Sequence, residues 1–374
     1  MTSRAPAAAL DLVDFRTFAD DIKALRAEID ASLGPDDLRH LRRIERRGRL
    51  ATAFGLVTAP IVPNPLSAAA LAFGRSTRWL LMHHIGHRGY DKVPDVPKTY
   101  TARVFARRWR RFVQWADWMT PEAWIYEHNV LHHHHTGEER DPDLIERNLE
   151  SVHHSRVPVW LRYVLLAVLA ATWRASYYAP KTLRAWHDRR EASDAVHRLP
   201  LGLLLRRCYA PHALLHFVAL PLLFAPLGAW AVFSAWCNSV MADVITNLHT
   251  FFVVGPNHTG DDLFRFDDRA TSRGEFYVRQ VIGSANYRTG GDLTDHAHLW
   301  LNYQIEHHLF PDVPMLAYRR IRPKVQAVCE RHGVPYVQEP VTRRFAKMAR
   351  VFVGTARMRR LERPAPIVSR RIAR

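Results

Sequence analysis

The sequence predicts an all-α integral membrane protein of about four transmembrane helices, arranged as two hairpins. Two stretches lack Asp, Glu, Lys and Arg over membrane-scale lengths, Leu50 to Gly74 and Cys208 to Ala242, where a single spanning helix needs about 20 apolar residues. Each is interrupted near its middle, the first by Pro60, Pro63 and Pro65, the second by Pro226 and Gly228, which suits a turn between paired spans, one kinked span being the alternative for the first. If the chemically rich residues all lie on one side of the bilayer, the number of crossings between His128 and the later histidines must be even. The spans are placed at about 50–82 and 208–254, the second block continuing past Asp243 to Val254.

The elements follow in chain order. Leu12, Phe15, Ile22, Leu25 and Ile29 stand at helical spacing, and Gly34-Pro35 stops that helix and starts another. The basic run LRRIERRGR, Leu41 to Arg49, precedes the first apolar block and marks the cytosolic side. Residues 1–49 thus form an amphipathic and basic N-terminal segment. Val159 to Trp173 is apolar but short and carries Arg162; a crossing there would put a bilayer between the histidines, so it reads as an interfacial or buried helix. The main domain runs over 50–345, and 346–374 is a basic tail, flexible from about Arg359. Both termini and the reactive region are expected on the cytoplasmic side.

The net charge of +17 suits a cationic face on an anionic membrane. No nucleic-acid motif accompanies it, and no nucleic-acid partner is expected. Cys208, Cys237 and Cys329 form no CxxC pair, which leaves neither a disulfide framework nor an iron–sulfur site.

Histidines gather at four places outside the apolar blocks: HHIGH at 83–87, HNVLHHHH at 128–135, NH at 257–258 and QIEHH at 304–308. Residues four apart share a helix face, so His83 with His87, and His128 with His132, could each converge on a metal. Thr120, Pro121 and Gly137 supply the cap, first turn and C-terminal stop of the second cluster's helix. Gln304, His307 and His308 repeat the pattern. Eight imidazoles exceed the needs of one catalytic zinc. Two metals sharing them is the economical reading, and a pair of irons beside a bilayer would allow oxygen activation against an unreactive lipid.

The ordered boxes HxxxH (His83, His87), HxxxHH (His128, His132, His133) and QxxHH (Gln304, His307, His308) resemble those of the membrane fatty acid desaturases. The stretch WLNYQIEHHLFPDVP, Trp300 to Pro314, is similar to the front-end acyl subgroup, as is PKVQAVCERHGVPY further on. The resemblance covers roughly 50–345. It implies a helical stalk under a cytosolic helical cap, two irons held almost entirely by histidine, and O2-dependent insertion of a double bond into a fatty acyl chain carried by a lipid, coenzyme A or a carrier protein. It adds His258 as the lone histidine between boxes, puts Gln304 where other members have histidine, and makes His298 a further ligand candidate. No HPGG haem motif is present, so electrons are expected from a separate ferredoxin or cytochrome b5.

The second box leaves a choice open. At 100° per residue His135 lies about 20° from His128 and His133 about 140° from it, so periodicity selects His135 whereas the resemblance selects His133. His249, near the end of a span, is an outside ligand candidate. His153-His154 reads as a solvated pair. Asp91, Glu127, Asp292, Asp295 and Glu306 could orient imidazoles from behind, while any single one reads as an ordinary surface charge. Two rival functions stand beside desaturation: a hydroxylase, ketolase or acetylenase on the same framework, and a non-catalytic membrane protein that holds metal through its histidines.

Overall fold

A computed structural model describes residues 13–189 and 199–361. Leu12 and the tail beyond 361 lie outside the described residues. Helices α1 (Phe15–Ser32), α2 (Pro35–Thr58) and α3 (Pro65–Gly86) open the chain. The middle holds α4 (121–135), α5 (159–188), α6 (Leu201–Leu227) and α7 (Ala229–Val254). After them come α8 (Arg273–Ile282), α9 (Asp292–Ala297), α10 (Gln304–Leu309), α11 (Met315–Arg331) and α12 (Val341–Val353). The described strands are short: β1 (Phe264–Phe266) pairs parallel with β4 (Arg359–Leu361), and β2 (Asn286–Tyr287) with β3 (Gln338–Glu339). The fold is otherwise helical, as predicted.

Helix α1 starts where the Asp14 carboxylate accepts from the N–H groups of Arg16 and Thr17 at 2.9 and 3.2 Å, leaving fewer orphan donors in its first turn. It buries Phe18, Ile22, Leu25 and Ile29, with Phe15 less covered.

Helix α2 carries both the basic run and the start of the apolar block, so the boundary drawn at 49/50 falls inside one continuous helix. Its glycines explain why it survives there. A Cβ at Gly48 would lie 2.5 Å from Thr77, and one at Gly55 would lie 2.7 Å from Leu71; both positions let α3 approach closely. The α2–α3 turn is tied down by α7: Ser234 Oγ and Asn238 Nδ2 donate to Ala59 O at 2.7 and 2.9 Å, and Asn238 Oδ1 accepts from Asn64 N at 2.9 Å.

Helices α6 and α7 turn at Gly228, whose φ of +98° is open to glycine and strained for other residues. Among the described residues α6 is the helix long and apolar enough to cross a membrane by length and composition. Leu50, Val57, Ile61, Leu214, Leu223 and Trp230 are all more than half exposed, and apolar surface of this extent calls for a non-aqueous neighbour. On α5, Trp160 and Val168 stay exposed while Leu166, Ala170 and Trp173 are buried. Arg162 turns inward, donating to Val157 O and Val353 O at 2.9 Å each.

Two departures concern the ends of the domain. The boundary at 345/346 falls inside α12, and Arg359–Leu361, expected as the start of a free tail, pairs with β1.

Asp243, the acid within the second apolar block, is satisfied by partners on several elements. Arg174 donates to Asp117 at 2.6 Å and to Asp243 at 3.1 Å, and His212 Nε2 meets Asp243 at 3.2 Å. His216, placed by sequence in a span, meets the Ala116 carbonyl at 2.9 Å.

Candidate metal centre

Helix α3 ends at Gly86, which puts His83 and His87 at its last turn. Helix α4 begins as predicted, with Thr120 Oγ1 accepting from Ala123 N at 3.4 Å and Pro121 in the first turn. Its centre departs from α geometry: Tyr126–His132 is a π-helix, and the His133 N–H bonds to His128 O. In i→i+5 bonding the residue five on stands about one turn above. His133 therefore rotates beside His128, and the 100° arithmetic that selected His135 does not apply. Gly137 closes the segment with φ +75°.

Two histidine groups result. In the first, His83, His87, His128 and His307 bring one nitrogen each to within 4.8 Å of one another; in the second, His132, His258 and His308 do the same. His133 lies between them, its ring centroid 4.4 Å from His87, 4.8 Å from His307 and 4.2 Å from the stacked ring of His308. A third set joins Asp143 to His128 and His132.

The remaining sequence candidates sit elsewhere. His135 meets Glu138 at 3.0 Å and is partly exposed. His249 has both nitrogens engaged, with Ser76 Oγ at 2.9 Å and Ala297 O at 2.7 Å. His298 meets Thr294 O at 2.8 Å. Gln304 belongs to the site's edge: its Oε1 accepts from Asn257 at 2.9 Å, which turns Nε2 toward His258 Nε2 at 2.8 Å.

The donor set suits a cation. His87 Nε2, His308 Nε2 and both nitrogens of His128 and His133 are buried without a hydrogen-bond partner, and an unsatisfied buried polar atom costs about 1–3 kcal/mol. His83 Nε2 and His307 Nε2 face each other at 2.9 Å. Burial first, and then the neighbouring imidazoles, hold His83, His87, His133, His307 and His308 well below the ordinary histidine range; neutral imidazole is the form that binds metal.

Three imidazoles are fixed through Nδ1, by Asp141 on His132 at 2.9 Å, Tyr318 on His307 at 3.1 Å, and Gln280 on His308 at 2.8 Å. Sequence reasoning missed all three. The acids it named face other partners: Asp91 caps Ala102 N, Asp292 and Asp295 bind Arg319, and Glu306 accepts from Asn286 and Tyr336. Glu127 alone stays close, fully buried with neither oxygen bonded, and burial drives its pKa well above the carboxylate range. The signal for Asp141 was its place in the acidic run just after the second box.

Of the pair read as solvated, His154 is exposed and His153 is half-buried. Its Nε2 meets Phe352 O at 2.9 Å, tying α12 to the loop before α5.

An apolar cavity of about 230 Å³ borders both groups, touching His83, His128, His132 and His258 and walled by Leu149, Leu169, Trp173, Phe251 and Phe352. On another side a cleft of about 670 Å³ reaches His87, His133 and His308 and is rimmed by Arg88, Arg103, Arg107 and Arg273. The site is thus open to an apolar chain and, separately, to an anionic surface.

The family model for fatty acid desaturases matches residues 60–340. An NADPH-dependent stearoyl-CoA 9-desaturase of Mycobacterium tuberculosis is 25% identical over 342 residues, covering 86% of this chain and 75% of that protein. An acyl-lipid (7-3)-desaturase of Rebecca salina is 33% identical over 244 residues, 60% of this chain and 51% of its own length. Fatty acid desaturase 3 of Bos taurus is 55% identical over 40 residues, 11% of this chain and 9% of its own. With three quarters of its length under one family model and a buried histidine cage beside an apolar cavity, the chain belongs to the fatty acid desaturase family, as an oxidoreductase of lipid metabolism.

Proposed function

We propose that the protein introduces a double bond into a fatty acyl chain lying in the 230 Å³ cavity, using O2 and two irons held by His83, His87, His128, His132, His133, His258, His307 and His308. The single observation that carries this reading is the pair of histidine groups bordering one apolar cavity. The irons would supply oxygen activation and hydrogen removal, a chemistry that side chains alone do not perform. The balance takes two hydrogens from adjacent methylenes, with two electrons and two protons from outside, and reduces one O2 to two waters.

The chain's own residues contribute position and environment. Leu149, Leu169, Trp173, Phe251 and Phe352 fix the acyl chain by shape and keep water away. Asp141, Tyr318 and Gln280 hold three imidazoles by Nδ1, leaving Nε2 for metal. His258 is held through Nδ1 by the Gly283 carbonyl at 3.2 Å, and the Gln304 amide, now 2.8 Å from its Nε2, would give way there to metal.

Electrons are assigned to a separate ferredoxin or cytochrome b5, and the arginine-rimmed cleft supports an acidic donor docking within reach of His87, His133 and His308. The M. tuberculosis relative is named as NADPH-dependent, which supports a reduced nicotinamide as the donor's own source. Helices α2, α3, α6 and α7 are read as two membrane hairpins, with the histidine cage and both termini on the cytoplasmic side.

The two relatives name different acyl carriers, coenzyme A and lipid, so both forms belong in the assay. Mass spectrometry of lipids from an expressing host should show acyl chains lighter by two mass units, dependent on His307. A gain of one oxygen instead would establish the hydroxylase reading. The metal-storage reading does not fit an oxidoreductase family.

A further inference from the structure

A second crevice, of about 460 Å³, lies between α2, α3 and residues 113–114, and shares no lining residue with the acyl cavity. Its height is set by the close α2–α3 approach, since Gly48 faces Thr77. Arg78 therefore stands level with the end of the basic run, while Ala53 and Leu56 line the crevice one to two turns further along the apolar block.

Arg78 has no hydrogen bond or ion pair among the described residues, although it is mostly enclosed. Asp117, the acid whose charge reaches it, is bound to Arg174 at 2.6 Å. The crevice's own carboxylate is also taken: Glu45 accepts from Arg49 at 2.6 Å on one oxygen and from Tyr100 OH at 2.6 Å on the other. Gln114 accepts from Ala106 N through Oε1 at 2.9 Å, and its amide N–H groups have no partner among the described residues. An uncompensated cation and two free donors thus line the same crevice. Ala53, Leu56 and Val113 make part of the lining apolar, and Val113 is 61% exposed.

We infer that this crevice binds one anionic phospholipid, its phosphate on the Arg78 guanidinium and the Gln114 amide and an acyl chain along Ala53, Leu56 and Val113. Guanidinium presents a planar donor fork to phosphate. The apolar floor excludes a free anion as the better fit. This site is separate from the substrate cavity, and it rests only on α2 and α3 standing in a bilayer.

Native mass spectrometry from detergent with equimolar phosphatidylglycerol and phosphatidylcholine tests it. Wild type should retain one phosphatidylglycerol with about five- to tenfold preference, as one cation at a membrane surface supplies roughly 1 kcal/mol. Arg78→Gln should lose the preference and Arg78→Lys keep most of it. Ala53→Phe, which fills the apolar lining without touching charge, should lower retention of both lipids, and it decides the matter if Arg78→Gln does not fold. Iron content serves as the folding control. Unchanged preference in Arg78→Gln, or displacement of the lipid by millimolar inorganic phosphate, overturns the site. A chain that stays monodisperse without detergent would instead overturn the membrane reading.

Discussion

Replacing Asp141 by Asn removes one charge and exchanges one acceptor for a donor at constant size. In the structure Asp141 Oδ1 accepts from His132 Nδ1 at 2.9 Å and from Asp143 N at 2.8 Å, while Oδ2 accepts from Gly137 N at 2.8 Å. The residue is 1% exposed. An amide has only one acceptor oxygen, so in either orientation its NH2 meets at least one buried N–H. That leaves donors unsatisfied at about 1–3 kcal/mol. The imidazole suffers as well. A carboxylate accepts only, which keeps the proton on Nδ1 and presents Nε2 toward the rings of His258 and His308, 4.8 and 5.1 Å away. Burial opposes charge on His132, yet Asp141, followed by Asp143 and Glu127, holds its pKa up to about 9 without metal, so metal binding at Nε2 releases a proton. Loss of such a support typically costs 10–100-fold in metal affinity. Chelator titration of the iron-loaded protein should therefore shift by about that factor in Asp141→Asn, with a lower Tm. Wild-type affinity together with wild-type Tm would refute the role given to Asp141.

Other outcomes follow from the same geometry. His307→Ala should abolish both iron retention and the lighter acyl product, while His154→Ala, whose ring is exposed and meets only Glu150 O, should change neither; equal effects would break the ligand assignment. Burial holds His40 down to about 4 and His84 to about 3, against about 6.5 unfolded. The unfolded chain then binds protons that the folded one refuses, so this stability is full above pH 6.5 and is lost as pH falls toward 4, at up to about 1.4 kcal/mol per unit per histidine. The Tm of metal-free protein should decline over that window, and His40→Phe should flatten the decline; an unchanged slope would contradict it. Reversing Arg107 and Arg273 to Glu should raise KM for a reduced ferredoxin several-fold, with the effect shrinking in high salt and iron content unchanged; an unaltered KM would move the docking surface elsewhere.

The histidine boxes and apolar blocks were readable because each is a local pattern. Spacing of three and four residues is set by helix geometry, and long uncharged runs have one common cause. What escaped depends on contacts distant in sequence or on local exceptions. His133 was undecidable against His135 because the π-helical bonding at His128 depends on how α4 packs and leaves no mark in HNVLHHHH. Asp141 could not be told from its acidic neighbours until the chain turned at Gly137. The continuity of α2 across 49/50 rests on Gly48 and Gly55 meeting α3, and Asp117, Asp243 and Arg174 pair over separations that no periodicity encodes. Arg359–Leu361 looked like a free end because a three-residue strand needs a partner, and β1 lies nearly a hundred residues earlier.

Iron stoichiometry tests the central claim most directly. Protein purified without added metal and quantified for iron and zinc should carry two irons per chain, and none in His307→Ala. Zinc in place of iron, or a full complement of iron retained after loss of His307, would contradict the assignment of the buried histidine cage as a two-iron desaturation centre.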